Sequence, residues 1–508
     1  MVGSIPQHRN STIIHSLILR NIYKMNKTQL MNKTQLLFLV ILIEGYVVLA
    51  TELLAIRSLI PFVGSGTETI SIIISAVLLP LAIGYHVGGN AFKSAYAKAK
   101  IKGKKKLSIR KLLLRNVTSS LIVLTLGLSY IFQEIFFGSL ILFGIESRLI
   151  QTALYSLLFL SFPVFLLAQT VPLISNYFSR AKLSEITGKM LFFSTTGSFL
   201  GSVFSTIVLM TYVGVHNTII VTMSLLCLLI LLLIRRIMCF ESIFFVMIFC
   251  MVFALNNGKA MFSLNVVSNN AYNLVRIIDV PKTESKILDI NRSTSSQISK
   301  DPKHRFPYFS YIEDNIITPM SKNTGKPLDI LIIGAGGFTI GLQDKINNYT
   351  FVDIDPDLKD ISEKYFLPEK LSPNKQFIAS SARAFVHSND KKYDMIVIDV
   401  FTNQMSIPME CTTREFLLDV KALLKDKSIV LANIISNPIF LDKFTVRYHN
   451  TFTSVFPIVS RQIIGETDLW GGDENVVKNV IYLSFNNKYT NDNSIYTDDK
   501  NTYSIDRK

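Results

Sequence analysis

The sequence predicts an α-helical polytopic membrane domain of about seven spans, followed by an α/β Rossmann-like half with a small N-terminal β subdomain. Three observations carry that reading. The first is a charge asymmetry in the 508 residues, which hold 52 Lys and Arg against 37 Asp and Glu. Residues 1–257 carry 22 basic and 7 acidic groups, and residues 258–508 carry 30 of each, so the net +15 belongs to the first half. The second is the recurrence of apolar runs in that half, within a chain of mean hydropathy +0.36. The third is a change near residue 262 to short β-runs alternating with amphipathic stretches.

The expected organisation is a basic segment at 1–35, the polytopic domain at 36–257, a β-rich lead-in at 258–327, a Rossmann-like domain at 328–485 and a polar tail at 486–508. The hexapeptide MNKTQL occurs at 25–30 and again at 31–36, each copy opening on Met, so residues 1–24 are expected to precede the translated start. The apolar runs lie at about 36–60, 69–88, 117–143, 149–174, 190–213, 217–234 and 240–255. Each approaches the length that crosses a hydrocarbon core as a helix. Segment 89–115 has ten Lys or Arg and no acid. Arg180, Lys182 and Lys189 flank the junction of runs four and five, and Arg235 with Arg236 ends run six. All of these fall on one side when the N-terminus is cytoplasmic, and residues 1–35 agree with five basic residues and no acidic one. The expected location is the cell (inner) membrane, with the lipid bilayer as partner. Seven true spans put the second half outside the cytoplasm; an interfacial seventh run puts it inside.

Inside the runs, Glu44 and Glu52 are eight residues apart, about 80° around a helix, and Gln133 with Glu134 interrupts run three. Two readings follow: a path for cations, or Glu52 paired with Arg57 and Glu44 hydrogen-bonded within the bundle. The charge balance of the second half excludes a dedicated nucleic-acid binder. Cys227, Cys239, Cys250 and Cys411 are too few for a disulfide scaffold and lack zinc spacing, so they read as packing residues and no metal is expected.

In the second half, Leu328–Ile333 is a buried-strand run leading into Gly334-Ala-Gly336-Gly337-Phe-Thr-Ile-Gly341. Glycines suit a sharp strand-to-helix turn that a ligand approaches closely. Tyr349–Asp353 is a second strand ending in a carboxylate 19 residues after Gly334, the spacing at which an acid meets ribose hydroxyls. Tyr393–Asp399 is a third strand with the same ending. Ligands of open parallel sheets sit beyond the carboxyl ends of strands, so Asp353 and Asp399 share one crevice with the glycine turn. Glu410 to Arg414 reads as a solvated helix entry. The phosphate-loop pattern GxxxxGK[ST] is missing, which argues against an NTPase. Lys427–Ile434, a helix at 438–455 and Asn479–Phe485 complete a seven-stranded ending. That ending fits a class I S-adenosylmethionine-dependent transferase fold better than dinucleotide oxidoreduction.

Val352-Asp353-Ile354-Asp355, Ser381-Ala-Arg-Ala-Phe385, and Tyr393–Asp399 followed by Ser406-Ile-Pro and Thr413-Arg-Glu-Phe416 resemble segments of the polyamine aminopropyltransferases, the spermidine synthases. Glu52-Leu-Leu-Ala-Ile-Arg57 and Gly84-Tyr-His-Val-Gly-Gly89 resemble the helical half of membrane-bound spermidine synthase-like proteins. The resemblance implies transfer of an aminopropyl group from decarboxylated S-adenosylmethionine to a diamine such as putrescine, in polyamine biosynthesis, with methylthioadenosine released. It implies Gly334, Gly336 and Gly337 along the nucleoside, Asp353 on the ribose, Ser381 and Ala382 by the adenine, and Asp399 as the catalytic carboxylate. Asp289, Gln297 and Tyr311 are then expected to cover the amine side. Gly337 stands where the soluble relatives have an Asp for the donor's amine, and Ser381 replaces an acid near the adenine. Thr402 stands at a second acidic position, with Gln404 two residues on. Two alternatives follow from these departures: a methyltransferase using S-adenosylmethionine, or a membrane protein that binds or transports polyamines. A homo-oligomer is compatible with each reading.

Overall fold

In the computed structural model, residues 33–101, 108–178, 183–234, 240–301, 304–403, 406–465, 477–485, 497–499 and 503 are described. The expectations placed on residues 1–32, on Arg180, Lys182, Arg235, Arg236 and Cys239, and on Gln404 lie outside them.

The first half is a bundle of apolar helices: α1 (Lys33–Val63), α2 (Thr67–Ile101), α3 (Ile109–Gly127), α4 (Tyr130–Leu142), α5 (Arg148–Ser175), α6 (Ser184–Met210), α7 (Val215–Leu233) and α8 (Phe240–Asn256). Among the described residues, α1, α2, α5, α6 and α7 are each long and apolar enough to cross a membrane, and α3 with α4 makes a sixth if that pair counts as one span. The third run was expected to be continuous. It is instead bent by 69° between α3 and α4, where Ser129 leaves helical geometry at ψ 127°. The seventh run forms the shorter α8. Helices α1 and α6 pack through small residues, with Gly197 and Gly201 against the backbones of Leu42 and Tyr46.

Strands β1 (Val266–Asn269), β2 (Leu274–Val280), β3 (Ser285–Ile290) and β4 (Ser293–Ser299) form an antiparallel meander. The main sheet has seven strands: β5 (Asp329–Ile333), β6 (Asn348–Asp353), β7 (Lys375–Ala379), β8 (Tyr393–Ile398), β9 (Leu424–Ser436), β10 (Ile458–Ile464) and β11 (Lys478–Phe485). Their order is β10-β11-β9-β8-β5-β6-β7. The strands from β7 to β9 are parallel, whereas β11 runs antiparallel to β9 and to β10. The sheet is therefore mixed, not parallel throughout. The order reverses between β5 and β8, and that switch point is where a crevice opens above the strand ends. Both faces are covered: Leu331, Ile333 and Ile396 contribute to one apolar layer, and Ile330, Ile332 and Met395 to the other.

Two sequence expectations change here. No helix follows the glycine turn: residues 334–347 run through turns with Phe338 at φ +59° and Gly341 at φ +68°. Left-handed residues at that density interrupt helical hydrogen bonding. The tail is not simply polar surface. Tyr503 is 4% exposed within the core that includes Phe444, and its hydroxyl accepts from the Ile407 amide, while Asp498 pairs with Arg383. One aromatic anchor suffices to hold a polar segment where a pocket for the ring exists.

Candidate active site at the sheet switch point

A cavity of about 620 Å³ opens over the carboxyl ends of β5, β6 and β8. It is lined by Gly334, Gly336, Asp353, Ser381, Ala382, Asp399 and Thr402 among the residues singled out from sequence. Gly334 has φ +91°, and a Cβ there would lie 2.0 Å from the Asp399 carbonyl oxygen. Only glycine lets β5 pass so close to the end of β8.

Asp399 is held from two sides. Tyr308 Oη donates to Oδ2 at 3.0 Å, and Asn433 Nδ2 donates to Oδ1 at 2.9 Å. Tyr308 comes from helix α9 (Pro307–Ile312) and Asn433 from β9. Burial pushes the Asp399 carboxyl up to about 6, against the pull of these two hydrogen bonds toward the ionised form. Neither donor can replace the carboxylate as a proton acceptor, so Asp399 is the base of this trio.

Asp353 closes the other end. Its Oδ2 accepts from the Ala335 amide and its Oδ1 from the Asp355 amide, both at 3.1 Å. Burial raises it to about 6 as well, with the backbone donors acting in the opposite direction. The Ala335, Ile354 and Asp355 amides take up three of the carboxylate's roughly four acceptor sites, which leaves room for one ligand hydroxyl. Ser381 caps helix α10 (Ala382–Ser388) by accepting from the Ala384 amide at 3.2 Å. Cys411 also lines the cavity, and burial pushes its thiol up, so it is an apolar wall there.

Four predicted residues stand elsewhere. Gly337 is behind the cavity wall: its amide donates to Ser296 Oγ at 2.8 Å, and a Cβ would meet the Phe366 ring at 2.4 Å. Asp289 is 4% exposed and bonded to Arg276, its cross-strand neighbour, at 3.0 Å. Gln297 donates to Ser285 Oγ at 3.1 Å, because strand alternation turns it away from Ser296. Tyr311 packs against the core, and Tyr308 on the same helix holds the site position. Conversely, Glu410, read as a solvated helix entry, lines the cavity.

The helical half supplies part of the wall. Ile60 at the end of α1 and Ser65 in the turn before α2 line the cavity, and Ser65 Oγ donates to Thr402 Oγ1 at 3.4 Å. Arg148 Nη1 donates to Ser406 Oγ at 3.1 Å. Arg57 does not pair with Glu52: its Nε donates to the Asn270 carbonyl at 2.9 Å. Asn270 Nδ2 in turn donates to Asp355 Oδ1 at 2.8 Å, two residues from Asp353. Glu134 is not buried in the bundle either; it pairs with Arg276 of β2 and with Arg292 beyond β3. Of the cysteines, Cys227 and Cys411 are buried and Cys250 is exposed on the surface of α8, so packing does not describe all of them. Among the described residues, no group of three His, Cys, Asp or Glu is placed to hold a metal.

Residues 309–464 match the spermine/spermidine synthase domain family. A polyamine aminopropyltransferase of Vibrio vulnificus is 31% identical over 160 residues, which are 30% of this chain and 52% of that protein. An N-terminal histidine N-methyltransferase of Emericella nidulans is 37% identical over 136 residues, 25% of this chain and 23% of that protein. The match thus spans about half of the first relative and a quarter of the second. Among solved structures, a probable spermidine synthase from Corynebacterium glutamicum is 20% identical with a TM-score of 0.37, covering 44% of this chain and 81% of that one.

Proposed function

From the premise that the chain belongs, through residues 309–464, to the spermidine synthase-like family, we propose that it is a membrane-anchored transferase moving an aminopropyl group from decarboxylated S-adenosylmethionine to an amine such as putrescine. The observation that carries the reading is Asp399, set by Tyr308 and Asn433 in the same cavity as the glycine turn and Asp353. The acceptor nitrogen's lone pair attacks the methylene carbon bonded to the sulfonium. The C–N bond forms as the C–S bond breaks, and the electron pair goes to sulfur, leaving neutral methylthioadenosine. The proton lost from the alkylated nitrogen passes to Asp399. The sulfonium is already a good leaving group, so alignment and proton removal are what the protein adds. Asp353 supports the nucleoside reading, since its remaining acceptor site suits a ribose hydroxyl, and Ser381 with Ala382, assigned to the base, lines the same cavity.

Five helices of spanning length support the membrane anchor. The basic loops support a cytoplasmic N-terminus.

A second reading, an S-adenosylmethionine-dependent methyltransferase, is favoured by one observation: the glycine turn carries no acid for the donor's amine, and Gly337 is packed out of the cavity. The likeness to an N-methyltransferase agrees with it. Mass spectrometry separates the two. Detergent-purified protein is given either nucleoside donor with a panel of amines, alongside Asp399→Asn. Methylthioadenosine with an aminopropylated amine, reduced at least ~100-fold in the variant, supports the first reading. S-adenosylhomocysteine supports the second, and turnover unchanged by Asp399→Asn refutes the role of Asp399.

A further inference from the structure

The bundle has two ends, and they carry different partners. At one end the start of α1 meets the end of α5, where Phe38 stacks on Phe178 at 5.7 Å. The start of α3 meets the end of α7 there, with Arg110 donating to the Leu233 carbonyl. The basic stretches of the sequence adjoin these ends: 93–115 covers the end of α2 and the start of α3, Arg180 and Lys182 follow α5, and Arg235 with Arg236 follows α7.

Among the described residues, the hydrogen bonds and ion pairs to the catalytic half are made at the other end. Ser65 and Thr67, between α1 and α2, reach Thr402 and Met409. Arg148, at the start of α5, reaches Ser406. Gly214, before α7, lies against the Asn269 carbonyl of β1, where a Cβ would approach to 2.8 Å. The bend after α3 turns α4 toward the sheet, and Glu134 meets Arg276 and Arg292 there. Helix α3 therefore runs from the basic end to the catalytic end without α4, and its 19 residues extend about 28 Å. Helix α8 makes the same passage: it follows Arg235 and Arg236, and Asn256 at its far end lines a small pocket with Arg57, His216 and Met261. Its 17 residues extend about 26 Å.

We propose that the chain crosses the membrane seven times and that the catalytic cavity lies on the face opposite the basic loops, outside the cytoplasm. Basic loops are retained on the cytoplasmic side, so the end bearing Ser65, Arg148 and Gly214 is the external one. The proposal depends on the contacts and the loop charges, not on which group is transferred. Its consequence for the reaction follows from the chemistry of the donor. A charged sulfonium nucleoside does not diffuse through hydrocarbon, so a transmembrane nucleoside transport step must supply it on the external face.

The test uses the full chain in the inner membrane of a bacterial host, with its four cysteines replaced by serine or alanine and single cysteines introduced at Lys326 and Lys104. Spheroplasts are treated with a membrane-impermeant maleimide before and after permeabilisation. Lys326→Cys is expected to label fully in intact spheroplasts, with Lys104→Cys at least tenfold less until permeabilisation. The reverse pattern, or equal labelling of both sites before permeabilisation, overturns the proposal. Ile346→Cys, exposed on the same domain, repeats the reading if Lys326→Cys fails to accumulate.

Discussion

Replacing Tyr308 by Phe removes one hydroxyl, and its effect can be worked from the site geometry. Tyr308 is 7% exposed and its hydroxyl donates to Asp399 Oδ2 at 3.0 Å, a bond that favours the ionised carboxylate. A hydrogen bond to a charged group contributes roughly 1.5–3 kcal/mol, and about 1.4 kcal/mol corresponds to one pKa unit. The Asn433 bond stays in place and the cavity admits water, so the lower end of that range applies. Asp399, held near 6 in the native site, is pushed up by about one further unit in the variant. The sign follows from the chemistry: the base is competent when ionised, so turnover rises with pH through the Asp399 pKa and the variant's acidic limb shifts upward. At pH 7 the ionised fraction falls from about 0.9 to ~0.5, so the rate drops roughly twofold and recovers by about pH 9. The assay is methylthioadenosine release at saturating substrates between pH 5 and 9, in the native protein and Tyr308→Phe. An acidic limb that stays at the same pH in the variant refutes Asp399 as the titrating base, whatever the change in maximal rate.

Further outcomes are expected at other positions. Gly334→Ala forces a Cβ to 2.0 Å from the Asp399 carbonyl at φ +91°, so methylthioadenosine binding measured by calorimetry should weaken about tenfold or more. Ser65→Val removes the 3.4 Å bond to Thr402 and should raise the acceptor KM by ~2- to 10-fold, with the donor KM within about twofold; equal changes in both would point to general disruption instead. Glu134→Ala leaves Arg292 without its carboxylate while Arg276 keeps Asp289. The partly exposed pair contributes about 1 kcal/mol, so the thermal midpoint in detergent should fall by ~1 °C, and no fall would show that the two halves are held together elsewhere.

The glycine turn and the two strand-end carboxylates were legible because their signal is local. An apolar run ending in Asp fixes both the strand and the end at which its carboxylate emerges, and Asp353 and Asp399 indeed meet in one cavity. The turn's continuation was misjudged for an equally local reason. Glycine spacing does not report that Phe338 also adopts a positive φ, and that choice ends any helix before it starts. Glu52 and Arg57, five residues apart, looked like partners on one helix; the backbone carbonyl of Asn270, just after β1, was a stronger claim on Arg57 and is 213 positions away.

What the sequence determined by itself is the two-part architecture, the Rossmann-like sheet and the residues that close its switch point, since hydropathy period and strand endings are properties of neighbouring residues. What only the tertiary structure decided is what surrounds Asp399. Tyr308 and Asn433 lie 91 and 34 positions from Asp399, and Ile60 and Ser65 reach the same cavity from the opposite half of the chain. Such contacts arise from how sheet and bundle pack, and no periodicity in the sequence encodes a distance between two separate elements.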